Sequence, residues 1–253
     1  MIAFTEAQIL GWITPLLWPF LRALALFSAM PLLGARNVPA RVRVGMAALI
    51  ALGAQAVLPP MPQVPLDSPT AFLMVLQQVL IGVSMGFAVR VVLTAVEFAG
   101  ELIGLQMGLN FASFFDPITN NQATTTSRLF NTVVSWLFIV VNGHLLLVMG
   151  LVESFQAFPV GPEPFAFLRQ AQPHRWGAEI FATGLWIALP LVAMMLFINL
   201  VLGVISRVAP QITVFSVGFP VTIGVGLVGL LLTLPALQQP FVFALERLLA
   251  TMR

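Results

Sequence analysis

Between Ala71 and Leu109 the chain runs for 39 residues with only Arg90, Glu97 and Glu101 carrying charge. Coiled as a helix at about 1.5 Å per residue, the stretch would extend about 58 Å, nearly twice a hydrocarbon core of about 30 Å. No soluble domain has an interior that could hide such a rod. The whole chain has the same character: 59% of its 253 residues are hydrophobic and 8% are charged, whereas a soluble domain carries about 25% charge. A soluble enzyme, a disordered linker and a coiled coil are excluded, and a membrane protein is expected.

Five further regions are apolar enough to join the first: Ala7 to Leu33, Val44 to Leu58, Leu129 to Val152, Ala178 to Ser206 and Ile212 to Leu234, followed by a short tail, Phe241 to Arg253. All six are expected to be helical, because backbone polar groups in lipid must be satisfied within the segment. A barrel would instead show alternating strands of about 10 residues. The fold class is therefore all-α, a polytopic membrane protein of about six long apolar helices. Proline and glycine punctuate the connections, as in Pro59-Pro60-Met61-Pro62. None is long enough to fold separately, so residues 1–253 are expected to form one integral-membrane unit. The start of the chain lacks a basic residue before its first apolar run and is not expected to be a cleaved signal. Arg36, Arg41 and Arg43 in the first connection, against Asp67 in the second, place the first connection in the cytoplasm and the N-terminus outside. Ala71 to Leu109 is either two short crossings or one helix longer than a bilayer.

The pI near 11.0 reflects the absence of Lys, Tyr and Cys; net charge is +2, and no basic patch suggests nucleic acid. Without cysteine, disulfides and thiolate metal sites are closed. His144 and His174 lie far apart with no carboxylate cluster, so no metal and no cofactor is expected. Gly224, Gly226 and Gly229 fit a dinucleotide fingerprint, with Glu246 at a suitable distance, but they sit in an apolar run without a strand-turn-helix unit. Ser113, Asp116 and His144 lack a nucleophile elbow, and no enzyme is expected.

Ionisable groups at membrane depth face a partner or a watery cavity. Arg90, Glu97 and Glu101 share one helix face, with Gln106 beyond them, and form an expected buried polar stripe. Whether it is a structural ion pair or a conduit or proton relay is open from the residues alone. Gly100, Gly104 and Gly108 repeat the spacing that lets helix backbones approach closely, and are expected to line a packing face.

The stretch Gly100-Glu101-Leu102-Ile103-Gly104-Leu105-Gln106-Met107-Gly108-Leu109-Asn110-Phe111-Ala112-Ser113-Phe114-Phe115-Asp116-Pro117 resembles the central motif of the FliR family of flagellar biosynthetic export proteins. Leu137 to His144 and Asn199 to Pro220 add two further blocks, and the similarity runs end to end. Injectisome homologues are similar to a lesser degree, and a solute permease is the alternative outside the family. The resemblance implies a non-catalytic subunit of the flagellar type III export gate in the bacterial inner membrane, within the flagellar basal body. It implies assembly with FliP and FliQ, with FlhB alongside, into a helical pore-like complex in contact with membrane lipid, through which unfolded flagellar substrates pass. It also implies that much of the apolar surface meets partners, and that Gly108 to Asn121 form a plug with Phe111, Phe114 and Phe115 as its bulky members. Asp116-Pro117 would end the helix there and let the rings project into a narrow apolar constriction.

Overall fold

The computed structural model describes residues 6–34, 38–65, 67–109, 125–211 and 214–250. These residues form helices α1 (Glu6–Ala29), α2 (Pro31–Gly34), α3 (Ala40–Ala54), α4 (Pro69–Gln106), α5 (Thr125–Val140), α6 (Gly143–Ala157), α7 (Ala166–Ala171), α8 (Gly177–Val208), α9 (Phe219–Thr233) and α10 (Gln238–Ala250). A π-helical turn, Val214–Gly218, precedes α9, and 3-10 turns occupy Pro173–Arg175 and Leu234–Leu237. No described residue lies in a strand.

Four segments are long and apolar enough to cross a bilayer: Gly11–Ala29, Pro69–Gln106, Ala166–Val208 and Ser216–Arg247; α5 and α6 taken as one broken span make a fifth. The expected six is thus approximate. Helix α3 is the element that falls short, since its 15 residues reach only about 22 Å. The long segment forms one unbroken helix, α4, of 38 residues. The expected helix across Leu129 to Val152 is divided instead, because Asn142 adopts a left-handed conformation with φ 55°. Asn tolerates that region better than other side chains, and Gly143 follows it.

The chain divides into two compact units, one within Met1–Arg90, Asn142–Trp176 and Leu245–Arg253, the other within Val91–Val141 and Gly177–Ala244. In the first, α1 packs on the first part of α4. Gly82 and Gly86 make the approach possible: a Cβ on Gly82 would meet the Arg22 carbonyl oxygen and, at 2.7 Å, the Ala25 Cβ, and one on Gly86 would meet the Leu26 carbonyl oxygen at 2.7 Å. Residue numbers rise together along the contact, so α1 and α4 run parallel. The return between them is made by α3 and the proline-rich stretch, whose Pro62 carbonyl accepts a hydrogen bond from Trp18 Nε1 at 3.3 Å.

In the second unit, the last part of α4 packs on α5 and α8. A Cβ on Gly184 would lie 2.7 Å from both the Ala95 carbonyl oxygen and the Phe98 ring, and Phe98 meets Phe181 edge to face at 5.3 Å. Helix α8 buries only a narrow stripe, Gly184, Ala188, Leu191 and Met195. Its other faces expose Phe181, Trp186, Phe197 and Leu200, each more than 60% accessible.

Candidate functional site

The motif residues of the second unit lie along the crossing of α4 and α5. Gly100 faces Phe130, whose ring would be 2.8 Å from an added Cβ, and Gly104 faces Thr126. One turn earlier on α4, Glu97 accepts a hydrogen bond from the Asn131 side-chain amide. Numbers rise on α4 as they fall on α5, so the helices are antiparallel, and two glycines four apart receive two larger side chains four apart. The small-residue spacing therefore serves packing inside this chain. Gly108, itself buried, has a further role. With φ 79° it ends α4: its N–H donates to the Leu105 carbonyl at 3.1 Å and the Leu109 N–H to the Gly104 carbonyl at 3.1 Å. That is the Schellman arrangement, in which a left-handed glycine satisfies the last carbonyls of a helix.

The expected buried polar stripe divides. Arg90 and Glu101 are exposed, while Glu97 and Gln106 are half-buried. The helical periodicity from Arg90 to Glu97 is correct, but seven residues separate them by about 10 Å along the axis, and the face they share is exposed at Arg90 and half-buried at Glu97. No buried Arg90–Glu97 or Arg90–Glu101 pair forms among the described residues. Glu97 instead helps line a cavity of about 310 Å³ with Ser127, Arg128, Asn131 and Thr132. Every lining residue is polar. Ser127 is 3% exposed.

Helix α5 has three faces. Phe130, Val134 and Phe138 are buried; Leu129, Trp136 and Val140 are exposed and apolar; between them run Arg128, Asn131, Thr132 and Ser135. The residues Phe111, Phe114, Phe115, Asp116 and Pro117 lie outside the described residues.

Sequence reasoning missed the most buried charge among the described residues. Arg22 of α1 has no exposed surface, and its guanidinium is held by neutral acceptors from distant parts of the chain. Its Nε donates to Gln78 Oε1 at 2.8 Å, Nη1 to Ser154 Oγ at 2.9 Å and Nη2 to the Phe158 carbonyl at 2.9 Å. The group lies 3.6 Å from the Phe155 ring centroid. A second tier supports the acceptors: Gln78 Nε2 donates to Gln77 Oε1 at 2.8 Å, and Gln77 binds the chain beyond α6 through the Pro159 carbonyl and the Gly161 N–H. The available signal was a lone Arg in the middle of an apolar run.

The motifs judged incidental have ordinary places. Gly226 and Gly229 are interior to α9, where added Cβ atoms would strike Met107 and the side chains of Leu191 and Met194; helix packing accounts for both. His144 and His174 are exposed, and no metal-binding group of His, Asp or Glu occurs among the described residues.

Long apolar helices, each carrying more greasy surface than its own chain covers, define a polytopic α-helical membrane protein. The family model described as bacterial export proteins, family 1, matches residues 13–248. Flagellar biosynthetic protein FliR of Escherichia coli (strain K12) is 42% identical over 246 residues, covering 95% of this chain and 92% of its own length. The protein of that name from Pectobacterium carotovorum subsp. carotovorum is 41% identical over 244 residues, with 95% and 92% covered. That from Bacillus subtilis (strain 168) is 32% identical over 219 residues, with 84% and 83% covered. The chain belongs to the bacterial export proteins, family 1, and to the FliR group within it.

Proposed function

We propose that this chain is a non-catalytic subunit of the flagellar type III export gate in the bacterial inner membrane, at the flagellar basal body. It assembles with FliP and FliQ, with FlhB-type protein alongside, into the conduit for unfolded flagellar substrates. The observation that carries the reading is the similarity over nearly the full length to proteins named for flagellar biosynthesis. The surface of α8 agrees with it: aromatic and aliphatic side chains are exposed on most sides of a 32-residue helix, more than a bilayer of about 30 Å is long enough to cover. Partner helices supply the remainder.

The plug belongs to the same proposal. Gly108 stops α4 with a left-handed turn, so the chain leaves the helix axis just before Phe111, Phe114 and Phe115. An apolar constriction of such rings excludes water and ions between transport events. Expression of the tagged chain with its candidate partners tests the assembly. Recovery with FliP and FliQ in a fixed ratio is expected; a chain that purifies alone and transports a small solute would make it a permease.

A further inference from the structure

We propose that the polar face shared by α4 and α5 is the part of this chain that touches the transported polypeptide, binding its extended main chain through water and side-chain amide and hydroxyl groups. The inference rests on the export-conduit reading above.

Glu97, Ser127, Arg128, Asn131 and Thr132 line a cavity of about 310 Å³ in the second unit, and Glu101 and Ser135 lie one turn further along the same faces of α4 and α5. That volume corresponds to about ten waters at their liquid share. Such a face cannot lie against lipid, because ionisable groups there cost several kcal/mol or more. Nor does bulk water explain it. The adjoining face of the same turns of α5 carries Leu129 at 44%, Trp136 at 65% and Val140 at 70% exposure, so these turns need an apolar medium on one side and a wet one on the other. A boundary between protein or lipid and an aqueous path has that form.

The occupant follows from hydrogen-bonding chemistry. A partner helix has already satisfied its own backbone groups and packs best on small residues, as α5 does on Gly100 and Gly104. An extended chain carries an unmet N–H and C=O at every residue. Asn131 keeps one amide N–H and its side-chain carbonyl oxygen beyond the bond to Glu97, and the Thr132 and Ser135 hydroxyls, whose hydrogens go to the Arg128 and Asn131 backbone carbonyls, still accept, so the face serves main chain of any sequence. Two acids beside one guanidinium leave little net charge with which to select among side chains.

The absence of native cysteine allows a clean test in the assembled complex in membranes. Single variants Thr132→Cys and Ser135→Cys are compared with Trp136→Cys and Val140→Cys for reaction with a charged, water-soluble maleimide. The measurement is repeated with an export substrate stalled by a folded C-terminal block. The polar-face thiols are expected to react, and to slow several-fold when the substrate is stalled, while the apolar-face thiols stay unreactive throughout. Unreactive polar-face thiols would mean a partner helix or lipid covers them. Reactive thiols indifferent to the stalled chain would mean bulk water. Either result overturns the inference, and a complex that still assembles with its partners and exports leaves the gate reading intact.

Discussion

Replacing Arg22 with Lys conserves charge and tests whether the guanidinium fork, rather than its charge, joins α1, α4 and α6. Arg22 places three nitrogens in one plane against Gln78 Oε1, Ser154 Oγ and the Phe158 carbonyl, at 2.8, 2.9 and 2.9 Å. A lysine ammonium is a single point on a flexible stem and cannot reach three acceptors spread around a planar fork. Two bonds are lost at about 1.5–3 kcal/mol each, the range for bonds to a charged group, and the stacking on Phe155 weakens. Arg22→Lys should therefore cost about 3–6 kcal/mol, leaving an under-coordinated cation in a fully buried site. Arg22→Met keeps most of the volume and removes the charge altogether, so although it forfeits all three bonds it should destabilise no more than Lys does. Denaturant midpoints in detergent micelles, followed by tryptophan fluorescence, give the order. A Lys variant near parental stability with a Met variant far below it would show that charge alone matters, and the argument from the fork would fail.

Close helix approach gives a contrasting pair. Gly104→Ala should destabilise by about 1–3 kcal/mol through overpacking, and Thr126→Ala should restore part of it, since the obstruction is a side chain; Gly184→Ala meets the Ala95 carbonyl oxygen and should resist rescue by any side-chain change nearby, both read by thermal stability of the purified chain. Gly108→Ala forces a Cβ into a left-handed turn and should cost about 1 kcal/mol, with Gly108→Asn milder; equal losses would contradict the cap. For the proposed plug, Phe114→Ala combined with Phe115→Ala should leave the complex assembled and raise its ion conductance in a planar bilayer, while unchanged conductance at equal complex content would remove both rings from the gate.

Long uninterrupted apolar runs are the legible part of the sequence. Ala178 to Ser206 is expected and Gly177–Val208 is found, because nothing within it breaks the pattern except Pro190, which a membrane helix tolerates. The division at Asn142 is hidden for the opposite reason. Hydropathy stays high on both sides of Val141-Asn142-Gly143, and averaging over about 19 residues outweighs a local left-handed signal. The polar residues are legible as a set and illegible as pairs. Periodicity along α4 puts Arg90, Glu97 and Glu101 on one face, but Asn131, which bonds Glu97, stands on a different helix. Arg22 is the extreme case: its acceptors lie 56, 132 and 136 residues away, and no spacing rule connects them.

The same limit explains why α3 reads as a crossing in sequence. Its composition qualifies, but its place follows from the directions of its neighbours. Because Gly82 and Gly86 bring α4 parallel to α1, the chain must travel back the length of α1 before α4 begins. A helix of 15 residues covers about 22 Å of that return. The remainder is carried by the helix-free stretch of residues 59–65, which passes Trp18, where the Pro62 carbonyl accepts the indole N–H. Proline suits such a path, since it has no N–H to leave unbonded against an apolar neighbour and its fixed φ keeps the chain extended. The proline cluster that marks a connection in sequence thus completes a return path in the fold, and the hydrogen-bonding requirement that favours helices in an apolar medium is eased there, since four of the seven residues from Pro59 to Pro65 have no N–H to pair.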